Sequence, residues 1–268
     1  MLTNPLKQKW EKGQPTINGW CSIGNPFTAE IMAAQGYDSV SIDIQHGALD
    51  YSAALPMLQA MRASGAVLMA RVPWLDPSAI MKALDAGAMG IICPMINNAE
   101  QAAEFVSYMR YPPDGQRSFG PTRANFAMKG YGVQVNEAVL AFAMIETAQG
   151  MNNLEEIAST PGLDGIYVGP ADLALGVTEG RLAPGFDREE EEMVAAIRRI
   201  ADVCKAKGIY AALHCGTPDY AAKAIGWGYN MTTVSADARL LAAAASVSVA
   251  RFRELTGTSA KSREKGSY

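Results

Sequence analysis

The chain has 268 residues, 49% of them hydrophobic and 19% charged, with a formal net charge of −4. This balance excludes a largely disordered protein, and the missing basic surplus argues against a nucleic-acid partner, which needs many Lys and Arg for phosphate contact. The length suits a single α/β barrel of about 250 residues, with core enough to fold without staples.

The opening MLTNPLKQKWEKGQP has no signal-peptide core, and no run reaches the roughly 18 apolar residues of a membrane span, so a cytoplasmic protein with no membrane partner is expected. The first predicted strand is TINGWCSI (16–23), followed by the helical PFTAEIMAAQG. DSVSIDI (38–44) precedes YSAALPMLQAMRASG, AVLMARV (66–72) precedes DPSAIMKALDAG, and AMGIICP (88–94) precedes NAEQAAEFVSYMR. Three of these helices close on Gly36, Gly65 or Gly87, a common stop because glycine accepts a positive φ. Residues 111–137 then form a Pro/Gly-rich insertion, too long for an idle connection and expected to be a lid or an interface. Strands follow at 139–146 (VLAFAMIE), 163–169 (LDGIYVG), 208–214 (GIYAALH) and 229–235 (YNMTTVS). Between the last four, DREEEEMVAAIRRIADVCKAKG carries acids first and bases last, the order that suits a helix dipole. The tail from residue 256 is polar and expected to fray.

Continuously apolar strands at the spacing of a βα unit are what a parallel sheet covered by helices requires. The expected fold is one (β/α)8 barrel over residues 1–255. An open doubly wound sheet is the alternative, but SIGNPFTAE lacks the glycine-rich turn of a dinucleotide site.

In a (β/α)8 barrel, chemistry sits where the strands end. Those ends supply Asp43, Gln45 and His46, then Arg71, then Glu146, then Asp172 in GPADLA. Glu146 and Asp172 lie about one βα unit apart, on neighbouring strands. Two bare carboxylates side by side repel unless one is protonated or a cation stands between them, and Mg²⁺ or Mn²⁺ suits such oxygen ligands. Both can equally be surface or helix-capping acids. Arg71 is either a salt-bridge partner of Asp43 or a stabiliser of oxyanion charge. His46 is either a satisfied polar group or a general base, and His214 reads as rim structure. Cys93 and Cys215 read as apolar fillers; the four cysteines include no C-x-x-C pair. No lysine falls in a predicted strand, which disfavours imine chemistry.

The segments IDIQHG (42–47), ARVPWLDPSAIMKALDAGAMGIICPMINNAEQA (70–102), RYPPDGQRSFGPTRA (110–124), IET (145–147) and LDGIYVGPADLALG (163–176) resemble the HpcH/HpaI aldolases, metal-dependent class II pyruvate aldolases. The similarity covers most of residues 15–253. It implies a lyase that cleaves 4-hydroxy-2-oxo acids, in the manner of 4-hydroxy-2-oxoheptanedioate aldolase, to pyruvate and an aldehyde through a stabilised enolate, and also runs the reverse addition. It assigns Glu146 and Asp172 to a divalent ion (Mg²⁺, Mn²⁺ or Co²⁺), Arg71 to the pyruvyl keto oxygen and His46 to acid/base work through a water. Asp85 would reach a neighbouring subunit's site and orient its histidine. The backbone around Gly169, Pro170, Ala171 and Asp172 would hold the carboxylate, and Trp20 would line the pocket. A swapped last helix and a homo-oligomer, commonly a hexamer, are also implied. With few contacts assigned to the aldehyde half, broad aldehyde acceptance is expected. Oxaloacetate decarboxylation or acyl-CoA cleavage at the same enolate site is the alternative. Three positions depart from the family pattern: Gln45 replaces an acid, Phe119 sits in the RSFG segment, and Met144 stands where some members carry glutamine.

Overall fold

The computed structural model describes residues 2–258, apart from the side chain of Val133. Eight strands close into a barrel: β1 (Thr16–Cys21), β2 (Ser39–Asp43), β3 (Val67–Arg71), β4 (Gly90–Cys93), β5 (Leu140–Ile145), β6 (Gly165–Val168), β7 (Tyr210–Cys215) and β8 (Met231–Val234). Each pairs in parallel with the next, and β8 pairs with β1. The helices are α1 (Pro5–Trp10), α2 (Pro26–Ala33), α3 (Tyr51–Ala60), α4 (Pro77–Asp85), α5 (Ala99–Met109), α6 (Thr122–Ala127), α7 (Ala148–Asn152), α8 (Leu154–Ala158), α9 (Pro170–Val177), α10 (Glu191–Lys207), α11 (Pro218–Gly226) and α12 (Asp237–Thr256). The predicted barrel is present, and every predicted strand lies within a few residues of an observed one. Among the described residues no helix is long and apolar enough to cross a membrane.

Helix boundaries follow capping chemistry. Asn25, Asp50 and Asp76 each accept N–H groups from the first turns of α2, α3 and α4. Gly36, Gly65 and Gly87 all have positive φ, as their places after helical runs require. α10 starts at Glu191, later than its acidic run suggests. Asp187 serves the loop after β7 instead: Oδ1 accepts the Gly216 N–H at 2.7 Å and Oδ2 accepts the Thr217 hydroxyl at 2.7 Å.

Three features depart from the sequence reading. α1, which was not expected, seals the N-terminal end of the barrel. Its Leu6 and Trp10 are buried, and Trp10 packs against Tyr210 with ring centroids 4.5 Å apart and tilted by 46°, and donates to Thr16 Oγ1 at 2.9 Å. None of the described side chains of the insertion lines the cavity among the strand C-terminal ends. The insertion packs against the barrel flank, where Arg123 donates to the last carbonyls of α3 and α4, and Arg117 pairs with Asp85 at 2.7 Å. Nor are the strands wholly apolar: Asn18, Ser39, Ser41 and Thr233 are buried and hydrogen-bond one another inside the barrel.

α12 continues through Thr256, Gly257 caps it and the Thr258 N–H donates to the Arg253 carbonyl at 3.0 Å, so the first three residues of the expected frayed tail are ordered; residues 259–268 lie outside the described ones. Asp237, at the start of this helix, is 3% exposed and accepts the Ser22 N–H (2.8 Å), the Ser22 hydroxyl (2.9 Å) and the Ile23 N–H (3.1 Å). This carboxylate ties the end of β1 to the element that follows β8. Asp237→Ala leaves those N–H groups without acceptors and is expected to cost about 2–3 kcal/mol. Urea unfolding measures it; an unchanged midpoint would show that the tie carries no stability.

Candidate active site

A cavity of about 390 Å³ opens where the strands end, lined among others by Trp20, Asp43, His46, Arg71, Asp172 and His214. The register places Asp43 directly beside Arg71 at the ends of β2 and β3. Arg71 Nε donates to Asp43 Oδ1 at 2.9 Å and Nη2 donates to Oδ2 at 2.6 Å, a two-pronged pair with both residues buried. Trp20 Nε1 adds a bond to Oδ2 at 3.2 Å, and the backbone N–H groups of Gln45 and His46 reach Oδ1 at 3.2 Å each. Burial pushes the Asp43 carboxyl up, but the hydrogen bonds and charge of Arg71 outweigh it and hold the group below the usual carboxylate range. Asp43 thus fixes an arginine, an indole and the loop carrying His46. Arg71 also lies over the Trp20 ring at 4.9 Å. Among the described residues its Nη1 meets only the Met144 sulfur, at 4.0 Å, which leaves a donor for a bound ligand.

Glu146 stands just beyond β5 and is 2% exposed. Its Oε1 accepts the Met95 N–H at 2.9 Å. Met95 holds a positive φ of 58°, an uncommon conformation for a side-chain-bearing residue, and that backbone aims the N–H at the carboxylate. Burial pushes Glu146 up to about 7; the Met95 bond opposes this, the Asp172 charge adds to it, and Arg71 offsets part of it. Asp172 sits in the first turn of α9, after Gly169 as cap and Pro170 as first residue. Pro170 has no N–H, so of the segment expected to bind a carboxylate only Ala171 and Asp172 bring first-turn donors. Gly169 is required by space: a Cβ there would lie 2.5 Å from Glu146 Oε2 and 2.4 Å from Met144 Cε.

The structure brings Trp20, His46, Arg71, Gly169, Pro170, Ala171 and Asp172 to one cavity, with Glu146 directly behind Gly169. Asp85 is elsewhere, on the last turn of α4, held by Arg117. Cys93 and Cys215 are buried and their thiols are pushed up by burial, as fillers would be. No described lysine lines the cavity. His214 is no rim residue: it is 8% exposed and forms part of the cavity wall with Phe186 and Arg239.

Two carboxylates near each other, one of them buried with a single hydrogen bond, fit a hard divalent cation that completes its shell with water and ligand oxygens. Among the described residues no group of three or more His, Cys, Asp or Glu gathers, so a nitrogen- and sulfur-rich site of the zinc type is not offered.

The pattern of HpcH/HpaI aldolase/citrate lyase matches residues 17–244. The chain belongs to this family. The hydroxypyruvate/pyruvate aldolase of Rhizorhabdus wittichii is 39% identical over 94% of this chain and all of its own length. The 2-keto-3-deoxy-L-rhamnonate aldolase of Escherichia coli is 35% identical over 100% of this chain and 99% of its own. A crystal structure of an HpcH/HpaI aldolase/citrate lyase family protein from Burkholderia cenocepacia superposes with a TM-score of 0.85 at 32% identity, over 94% of this chain and 100% of that one.

The sequence reading of this family member missed Met95, Phe186 and Arg239 as parts of the site. Met95 acts through its backbone, and Phe186 and Arg239 follow strands 6 and 8 in segments without a motif. The central place of Asp43 was signalled more openly, by an acid closing an apolar strand.

His214 gives a pH test. Burial, then the positive charges of Arg71 and Arg239, push its imidazole down to about 3, against an upward pull from Asp43. The unfolded imidazole takes up a proton below about 6.5 and the folded one does not, so the fold loses stability as pH falls from there toward 3. The steepest slope from this group is about 1.4 kcal/mol per pH unit. His214→Leu should flatten the fall in urea midpoint between pH 6.5 and 5; equal slopes in both proteins would contradict the buried neutral ring.

Proposed function

We propose that this protein is a divalent-metal-dependent aldolase that cleaves 4-hydroxy-2-oxo acids to pyruvate and an aldehyde and catalyses the reverse addition. The observation that carries the reading is the commitment of Arg71 to Asp43. The guanidinium whose charge reaches Glu146 is already paired with another carboxylate, and Glu146 and Asp172 remain as two acids close to one another. The names of the full-length relatives point to the same chemistry.

Glu146 and Asp172 would hold Mg²⁺, Mn²⁺ or Co²⁺. When bound, the cation draws charge from the pyruvyl oxygens and so favours the enolate. The pyruvyl carboxylate lies at the N-terminus of α9, where the Ala171 and Asp172 N–H groups and the helix dipole favour an anion. Arg71 Nη1 donates to the keto oxygen and continues to do so as that oxygen gains charge, while Asp43 keeps the guanidinium from turning. His46 takes the proton of the C4 hydroxyl. The C3–C4 bond breaks, its electron pair enters the pyruvyl unit, and the aldehyde departs. A proton delivered to C3 completes pyruvate. Trp20 closes one wall and shields Arg71 from water.

The protein is further read as a cytoplasmic homo-oligomer, a hexamer with its last helix exchanged between subunits. The exposed apolar side chains of α12 support this, including Leu241, Val247, Phe252 and Leu255 at 64–70% exposure. In that assembly Asp85, steadied by Arg117, would reach a neighbouring subunit's His46.

The test mixes enzyme, pyruvate and glycolaldehyde with Mn²⁺, with Mg²⁺, or with chelator. Aldol product is expected with metal and absent with chelator, and Glu146→Gln should lower turnover about 100-fold or more. Turnover that survives chelation, or oxaloacetate decarboxylation without any aldol product, would overturn the reading.

A further inference from the structure

The barrel interior holds a chain of hydrogen bonds whose direction can be worked out. The hydroxyls of Ser39 and Ser41 donate to Asn18 Oδ1 at 2.9 and 3.1 Å. Asn18 Nδ2 donates to Thr233 Oγ1 at 2.9 Å. Thr233 Oγ1 lies 2.7 Å from Tyr167 Oη, and Tyr167 Oη lies 3.1 Å from His214 Nδ1. β6 and β8 are not neighbours, so the Tyr167–Thr233 bond crosses the inside of the barrel. Every member of the chain is buried.

Only one arrangement of protons satisfies each group. Thr233 already accepts from Asn18, and among the described residues its own proton has no acceptor but Tyr167 Oη. Reversing that bond strands a buried hydroxyl proton, at a cost of about 1–3 kcal/mol. Thr233 therefore donates to Tyr167, and Tyr167 donates to His214 Nδ1. A neutral imidazole carries one proton, so it must sit on Nε2.

His214 has no hydrogen bond through Nε2 among the described residues, and it lines the cavity. Phe186 stacks on its ring at 4.8 Å and 22°, and Trp20 meets it edge-on at 4.9 Å. Arg239 lies over Phe186 at 4.8 Å. This wall is an aromatic surface carrying an N–H and a guanidinium, and it shares Trp20 with the pyruvyl pocket but holds none of the polar groups assigned to pyruvate.

We infer that His214, with Arg239 beside it, determines specificity for the aldehyde half of the substrate, selecting aldehydes with a carboxylate or hydroxyl oxygen next to the carbonyl over bare alkyl aldehydes. The inference rests on the aldolase reading above and replaces the expectation of broad acceptance. Tyr167 is a positioning residue that acts through the His214 tautomer.

The experiment compares kcat/KM for addition of pyruvate to glyoxylate, glycolaldehyde and propanal, with Mn²⁺ present. The wild-type preference for the two oxygenated aldehydes over propanal should fall about 10-fold or more in His214→Leu, because a donor that pairs with a substrate oxygen is lost. His214→Gln, which can offer an amide N–H in its place, should recover part of that preference. Nitrogen NMR of the two histidines should show the His214 proton on Nε2 in the wild type and no longer confined there in Tyr167→Phe. A preference unchanged in His214→Leu, or a wild-type proton on Nδ1, overturns the proposal. Should His214→Leu fail to fold, the His214→Gln ratio and the nitrogen spectrum decide. A wild-type enzyme that adds pyruvate to none of the three aldehydes overturns the aldolase reading, and this proposal with it.

Discussion

The buried pair between Asp43 and Arg71 is the interaction on which the rest of the site depends. It joins β2 to β3 at the rim, holds the Trp20 indole, and fixes the backbone that carries His46. A pair this deep adds little net stability, because desolvation of both ions offsets their attraction. Its consequence is positional: the guanidinium cannot swing toward Glu146. Asp172 lines the cavity and Glu146 lies buried just behind Gly169, two acids close enough to raise the Glu146 carboxyl, and on the reading proposed above a cation would complete the pair.

Barrel topology explains why these groups meet. Parallel strands bring every C-terminal end to one rim, so residues far apart in the chain become neighbours. The fine placement comes from details of backbone. Met95 adopts a positive φ to point its N–H at Glu146, and Gly169 is small enough to let α9 approach that carboxylate. Beneath the rim, the hydrogen-bonded side chains from Asn18 to His214 replace part of the apolar filling usual in such barrels. Each is hydrogen-bonded to another, which keeps their burial tolerable, and on the inference above they pass one proton arrangement to the cavity wall.

The fold was largely legible because each strand is short, apolar and followed by a helix with its own stop signal. The rim carboxylates, Arg71 and His46 were legible because ionisable residues at the ends of apolar runs have few structural reasons to be there. Of the two readings of Arg71, the structure shows the salt bridge to Asp43, made through two nitrogens, while Nη1 stays outside that pair. α1 escaped notice because PLKQKW is too short to show a period. His214 was misplaced because the sequence does not reveal which way a residue near the end of β7 faces, nor that Phe186 would cover it. The purpose of the insertion was half legible. Its length signalled a role; in the structure Arg117 and Arg123 tie it to α3 and α4, contacts that the sequence did not reveal.

The central claim is that Asp43 retains Arg71 while Glu146 and Asp172 share a cation. A crystal soaked with Mn²⁺ and pyruvate, with anomalous diffraction recorded for manganese, tests it most directly. The expected result is one manganese peak within ligand distance of both carboxylates, pyruvate beside it, and the Asp43–Arg71 pair intact. A manganese peak elsewhere, or an Arg71 that has left Asp43 to pair with Glu146, would contradict it.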